Sequence, residues 1–166
     1  SDPQSLLRTT IRKIRNMLIV MSKNYHAELI ERYEDEIDRN KLLINKAVIG
    51  ALTYQAPSKL KTIDLYYIGL ISSYIEAMVD HLIVIDHNEK DFLGYVSSAI
   101  DELQQVFESI DGLDDKTGVE MIRLVKKIPE SEVKDMKTYH KYRVKKYLMN
   151  VSEVVLDWAI TKEIEK

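Results

Sequence analysis

Apolar side chains recur at steps of three and four residues along almost the whole chain, and no stretch alternates apolar and polar residues as a half-buried strand does. This period is that of the α-helix, in which residues three or four apart share a face. The clearest seam has spacings of four, three, four, three and four residues: Phe92, Val96, Ala99, Leu103, Val106 and Ile110. The pattern predicts an all-α fold.

Capping and breaking residues divide this pattern into six helices. Asp2 before Pro3 is typical of a helix start, and Pro129 ends a short fifth helix. The predicted helices cover residues 3–22, 25–54, 58 or 62 to 87, 89–110, 115–128 and 131–166. Their inward faces are predicted to include Tyr54, Val119, Val133 and Met136. A long stripe, a break and a second long stripe occur in both halves, so we expect two tandem three-helix units, 1–88 and 89–166, with short connections and shared packing.

Composition excludes several classes of function. The 166 residues contain no cysteine, which rules out a disulfide and a thiolate metal site and fits the reducing cytoplasm. A net charge of −3 argues against general nucleic-acid binding. No apolar run approaches the roughly 20 residues of a membrane span, and the N-terminus lacks the apolar region of a signal peptide. Phosphate-binding glycine loops and hydrolase motifs are missing, so we expect a protein that is not an enzyme.

Two pairs of acidic residues carry the strongest chemical signal. Glu34 and Asp38 lie in the second predicted helix, and Glu76 and Asp80 lie in the third. Residues four apart lie on one helix face, so each pair directs two carboxylates the same way. If the helices are antiparallel neighbours, four carboxylates converge, and a hard multivalent cation would relieve their repulsion. The alternative is solvated surface charge, partly offset by basic neighbours such as Lys41.

Two histidines near these acids allow the same two interpretations. His81 follows Asp80 directly, and His87 lies a few residues further on. A histidine beside an acidic pair can bind iron or zinc. A histidine on an amphipathic helix is also an ordinary surface residue, and both interpretations stay open. A di-iron enzyme would require Glu-x-x-His pairs, which this spacing does not provide.

The order of the motifs in residues 1–88 resembles that of the PhoU family of phosphate-uptake regulators. The run E-A-M-V-D-H-L at 76–82 is similar to that family's E-R-I-G-D-H-A. Gln55-Ala56-Pro57 and the Asp-Leu pair at 64–65 look like the segment between the family's second and third helices. Glu34 and Asp38, followed by Leu42, resemble its E-x-x-x-D-x-x-x-L pattern. Alanine and valine at positions 77 and 79 replace the usual arginine and glycine.

The resemblance implies a regulator that acts by contact. Expected partners are the ATP-binding subunit of the phosphate ABC transporter and a sensor kinase, and the expected metal is iron, zinc or manganese. In the second half, Tyr142 and Lys146 stand where the family's acidic positions would fall, so we expect metal ligands only in the first half. The alternative is a metal-free helical scaffold or oligomerisation module, such as the C-terminal part of a larger transcriptional regulator.

The segment from Arg123 to Lys146 is locally basic. Four residues form a stripe at helical spacing on the predicted sixth helix: Lys134, Lys137, Lys141 and Lys145. The stripe is either a solvated helix face or a surface for an acidic partner, anionic lipid or nucleic acid. We expect protein partners, with homo-oligomers and peripheral membrane association as further options, and no direct nucleic-acid binding by this segment.

Overall fold

A computed structural model describes residues 2–54 and 60–166 and confirms the all-helical fold. The six helices are α1 (Pro3–Lys23), α2 (Ala27–Tyr54), α3 (Thr62–Leu82), α4 (Lys90–Glu108), α5 (Asp115–Lys126) and α6 (Met136–Ile164). A short 3₁₀ turn, Ile110–Gly112, follows α4. Within the described ranges no residue lies in a β-strand, and no helix is long and apolar enough to cross a bilayer.

The two halves of the chain interlock around one hydrophobic core. Helix α1 packs against α2 and α4, whereas α3 lies between α2 and α6. The contact between α3 and α6 is the most extensive in the molecule, and it joins the first half to the second. Buried apolar residues from all six helices form a single cluster.

The contact between α3 and α6 contains the only tryptophan of the chain. Trp158 is 1% exposed, and its ring packs on Tyr67 and Phe107. The indole Nε1–H donates a hydrogen bond of 2.7 Å to Oδ1 of Asp64, and Asp64 Oδ2 accepts from the backbone N–H of Lys61. The buried carboxylate and the buried indole therefore satisfy each other, as buried polar groups require.

Two helix starts have the capping chemistry that the sequence suggests, and the start of α6 does not lie where it was predicted. The carboxylate of Asp2 caps α1 as expected, and the carboxylate of Asp114 caps α5. Helix α6 was predicted to start near Ser131, which is wrong: it begins at Met136. Asp135 is its cap, because its Oδ1 accepts a hydrogen bond of 2.8 Å from the N–H of Thr138.

Four residues predicted to face inward are exposed. Val133 and Met136, near the true start of α6, are 49% and 65% exposed. Tyr54, at the last turn of α2, is 82% exposed, and Val119 of α5 is 56% exposed.

Helix α3 ends at Leu82 and not at His87. The Gln55-Ala56-Pro57 motif lies outside the described residues.

Candidate metal centre

The acidic pairs of α2 and α3 face each other across an antiparallel helix contact. The side chains of Asp38 and Glu76 interact directly, and Asp80 lies close enough to Glu34 for its charge to raise the pKa of Glu34. The two helices run in opposite directions, so Glu34 lies near Asp80 and Asp38 lies near Glu76. The i,i+4 spacing within each helix therefore brings acids of both helices to one shared surface.

Three of the four predicted ligands form a compact group. One carboxylate oxygen from each of Asp38, Glu76 and Asp80 lies within 4.8 Å of the other two. Two oxygens bound to the same calcium-sized cation are at most about 5 Å apart, so this spacing suits a common ion. Glu34 lies beside the group but outside that distance limit. We call Asp38, Glu76 and Asp80 the acidic triad.

Crowding makes the ionised forms of these acids costly. Burial, followed by the charge of Glu76 and a hydrogen bond shared with it, raises the pKa of Asp38. Burial and then the charges of Glu76 and Asp38 raise the pKa of Asp80. The pKa of Glu34 is also raised, by burial first and then by Asp38 and Asp80. Each shift has the sign expected when carboxylates repel one another in a partly desolvated place.

One cation offsets part of this repulsion. Lys41, one turn beyond Asp38, places its Nζ 3.1 Å from Oε2 of Glu76. Its charge lowers the pKa of Asp38 and Asp80, against the larger effects that raise them. One lysine against three carboxylates leaves the group with a net charge of −2 when all are ionised.

A buried oxygen of the acidic triad has no partner. Oδ1 of Asp38 is buried and accepts no hydrogen bond among the described residues. A buried acceptor without a partner costs free energy, and an all-oxygen donor set of this kind suits hard cations. The triad therefore fits a divalent or trivalent ion. An all-carboxylate set suits manganese better than iron or zinc, for which imidazole or sulfur ligands are more typical.

The two histidines point elsewhere. His81 directs its Nδ1 towards Nδ1 of His140 in α6, at 2.9 Å, and its ring lies near Tyr139 and Tyr147. His87 stacks on Tyr25 at a ring separation of 4.5 Å. Within the part of the chain that the structure describes, neither histidine belongs to a group of three or more metal-ligating side chains.

Sequence reasoning missed a histidine pair next to the acidic pair of α3. His81 and His140 pair across the halves, although 59 positions separate them. Burial, followed by the charges of His140 and Arg143, lowers the pKa of His81. No local spacing in the sequence signals a pair of this kind, because it depends on how α3 meets α6.

The basic stripe of α6 is largely used inside the molecule. Lys137 and Lys141 both bind the carboxylate of Glu89, at 2.7 and 2.8 Å. Lys145 donates to the backbone oxygen of Ile128 at 2.6 Å and pairs with Glu130. Among the stripe residues, only Lys134 is left without a described side-chain partner. These lysines join α6 to the segments that precede α4 and follow α5.

The second half lacks an equivalent acidic group among the described residues. Tyr142 and Lys146 line a cleft of about 220 Å³ beside Pro129 and Met149.

Comparison with known proteins adds no relative: no family model, no curated protein and no solved structure matches this chain.

Proposed function

We propose that the protein is a PhoU-like regulator of phosphate uptake or phosphate signalling that acts in the cytoplasm by protein contact and holds a metal ion on its α2–α3 face. The observation that supports this proposal best is the acidic triad, which groups carboxylates from the two helices that carry the PhoU-like motifs. The expected partners are the ATP-binding subunit of a phosphate ABC transporter and a sensor kinase.

Asp38, Glu76 and Asp80 would hold the ion, and Glu34 would adjust the local charge. A bound divalent cation supplies the positive charge that the triad lacks. Lys41 holds Glu76 in place while the ionised carboxylates repel one another. Because the ligands come from two helices, a bound ion would link α2 to α3. It would also neutralise the negative charge of the carboxylates on this surface. Both effects change what a partner meets, and neither requires catalysis.

Metal binding is tested on the full chain purified without chelator. We expect bound manganese or iron by elemental analysis, and a melting temperature that rises with added Mn²⁺. At a concentration 100 times the Kd, mass action adds about 2.7 kcal/mol of stability. For a chain of this size, that corresponds to a rise in Tm of roughly 5 to 10 °C.

A matched pair of variants assigns the effect to the triad. Glu76→Gln should abolish the rise in Tm, whereas Glu153→Gln, an exposed position on α6, should leave it intact. A rise that survives Glu76→Gln would place the ion elsewhere, and no rise with Mn²⁺, Fe²⁺ or Zn²⁺ would remove the metal from the proposal.

The regulator part has its own test. The ATP-binding subunit of the phosphate transporter from the same organism is titrated with this protein by calorimetry, with and without Mn²⁺. We expect micromolar binding. An absence of heat at 100 µM in both conditions, for the transporter subunit and for the sensor kinase, would contradict the assignment as a contact regulator.

The second candidate is a metal-free helical scaffold or oligomerisation module, such as the C-terminal part of a larger transcriptional regulator. The observation that favours it is the exposed apolar surface of α2, where Leu42 and Ile49 are 61% and 62% exposed. A protein that binds no metal and no transporter subunit but associates with itself would support this candidate.

A further inference from the structure

A strongly basic part of the chain surrounds a cleft between α6 and the segment that follows α5. Residues 123–146 contain nine basic residues and three acidic ones, a net charge of +6 in a chain whose total is −3. The other 142 residues therefore carry −9. Positive charge concentrated in this way attracts anions to the surface on which it lies.

The walls of this cleft are mainly apolar. Pro129 lies on one side, and Tyr142 and Met149 lie on the other, two turns apart on α6. The cleft has a volume of about 220 Å³, whereas a cavity of about 150 Å³ takes one benzene molecule. The space therefore suits one aromatic ring with a charged group attached. It is too small for most drug-sized ligands, whose pockets begin at about 300 Å³.

Lys145 supplies a mostly buried cation at this cleft. Its side chain is 12% exposed, and its Nζ lies 2.6 Å from the backbone oxygen of Ile128 and 3.3 Å from that of Lys126. The third neighbour of Nζ is Oε1 of Glu130, at 3.2 Å. Because an ammonium group has three N–H donors, these three oxygens satisfy it. Among them only the oxygen of Glu130 carries a charge.

Glu130 is a partner that a ligand can displace. Its side chain is 79% exposed, and ion pairs with an exposed member contribute little to stability. Lys146 also lines the cleft and has no partner among the described residues. Lys141, the third lysine of the lining, is already bound to Glu89. An anion that replaces Glu130 therefore meets two cations, Lys145 and Lys146, and these suit a ligand with two negative charges.

We propose that this cleft binds a small aromatic dianion, a single ring that carries a phosphate group or two carboxylates. The ring would lie against Tyr142 and Met149, since aromatic rings pack well on tyrosine and on methionine sulfur. The anionic group would pair with Lys145 and Lys146. This site shares no residue with the acidic triad, and the proposal depends neither on the metal nor on the regulator assignment.

The ion pairs of α6 favour a small ligand over a large one. A nucleic acid or another macromolecule with many negative charges requires a row of free cations. In the basic stripe of α6, Lys137 and Lys141 are both bound to Glu89. The described residues of the stripe therefore offer no such row. A small dianion requires only two cations, and both of them line this cleft.

The proposal is tested by calorimetric titration of the full chain with phenyl phosphate at pH 7.5, where this phosphate carries about two negative charges. We expect a Kd of roughly 100 µM, which is ordinary for a ligand of this size. Inorganic phosphate lacks the ring, so it should bind at least about 10-fold more weakly. Phthalate is titrated in parallel, and the tighter of the two aromatic ligands identifies the anionic group.

Two matched pairs of variants locate the site. Lys146→Gln should weaken phenyl phosphate binding at least about 5-fold, whereas Lys134→Gln, at an exposed position outside the cleft, should change the Kd less than about 2-fold. Glu130→Gln should tighten binding about 3-fold, because its carboxylate no longer competes for Lys145. Glu132→Gln removes the same charge two residues away, outside the cleft, and should leave the Kd nearly unchanged.

Three outcomes would overturn the proposal. They are an absence of heat with both aromatic ligands at 5 mM, inorganic phosphate that binds as tightly as phenyl phosphate, and equal effects within either pair of variants. The last two would mean that the basic surface attracts anions without a defined site. Glu76→Gln should leave the Kd for phenyl phosphate unchanged, so a failure of the metal assay and a failure of this site are separate results.

Discussion

Acidic side chains behave differently in the two halves of the molecule. On the α2–α3 face, burial and then neighbouring acids raise the pKa of three carboxyl groups: Glu34, Asp38 and Asp80. In the second half, hydrogen bonds lead the causes that lower the pKa of four: Glu89, Asp114, Glu120 and Asp135. The acids of the second half cap helices or pair with cations. The three acids of the α2–α3 face instead lie close together, which costs free energy when they are ionised.

The comparison separates structural acids from a candidate site. Glu89 is held by Lys137 and Lys141, and Asp135 caps α6, so their charges stabilise the fold. Nothing in the fold of the described residues requires the acidic triad to crowd together. Perturbed carboxyl groups of this kind are more frequent at functional sites. Glu102 is the exception in the second half, because burial and the charge of Glu120 raise its pKa.

Asp64 gives the strongest test, because it is an acid of α3 that is paired like those of the second half. Asp64→Ala removes the acceptor of Trp158 and the bond to the backbone of Lys61. An unsatisfied buried donor costs about 1 to 3 kcal/mol and a lost cap adds about 1, so we expect a loss of roughly 2 to 4 kcal/mol. Urea unfolding followed by the fluorescence of Trp158 measures it. Asp64→Asn keeps an acceptor and should lose less; equal losses would refute this explanation.

Gly118 tests how tightly the second half is packed. A Cβ atom at this position of α5 would lie 2.8 Å from Cα of Leu156 in α6, whereas at Gly94 of α4 it would meet nothing within 4 Å. We expect Gly118→Ala to lower the free energy of unfolding by about 1 to 2 kcal/mol. Gly94→Ala should raise it by up to about 1 kcal/mol through helix propensity. Thermal unfolding compares the two, and a stabilised Gly118→Ala would mean that α5 can move away from α6.

Much of this fold could be predicted from the sequence, because helix periodicity is local. Every residue predicted for the seam of the fourth helix, from Phe92 to Ile110, is buried, although Ile110 lies in the 3₁₀ turn after α4. The same reasoning failed for Tyr54 and Val119, since periodicity identifies an apolar face but not whether another helix covers it. The start of α6 was misplaced because several residues before Asp135 also have capping or helical character.

The candidate site was only partly predictable, for a similar reason. Spacing within α2 and α3 places each acidic pair on one face, and the antiparallel contact then brings three of those acids together. The bond between Trp158 and Asp64 joins residues 94 positions apart, and the pair of His81 and His140 joins two helices of different halves. These contacts depend on the angle and register of the packed helices, which no short motif encodes.

Lys41 tests whether the triad is under charge strain. Lys41→Gln removes the partner of Glu76 and leaves three carboxylates without a cation. Without metal we expect a loss of about 0.5 to 1 kcal/mol, since the pair is partly exposed. The affinity for Mn²⁺ should rise several-fold, because the ion no longer competes with the lysine. Lys13→Gln, which breaks a similar pair with Glu36, should lose stability without any change in Mn²⁺ affinity by calorimetry.

Asp38→Asn gives the smallest expected effect and the sharpest contrast between the halves. Without metal at pH 7, the variant should be more stable than the natural chain by about 0.5 kcal/mol, because one repelling charge is gone and the site is partly solvated. The pKa of Asp38 is raised in the folded state, so its ionisation costs stability above that pKa, and the cost disappears as the pH falls through it.

The advantage of Asp38→Asn should therefore shrink as the pH is lowered from 7 towards 4. Asp135→Asn should show the opposite sign. The pKa of Asp135 is lowered by its bonds to Thr138, so its carboxylate stabilises the fold above its ordinary pKa and loses that effect in acid. Urea unfolding from pH 7 down to about pH 2 measures both variants against the natural chain, because the effect of Asp135 is lost only below the ordinary pKa of an aspartate. If the stability of both variants relative to the natural chain changed with pH in the same direction, the contrast between the two halves would be refuted.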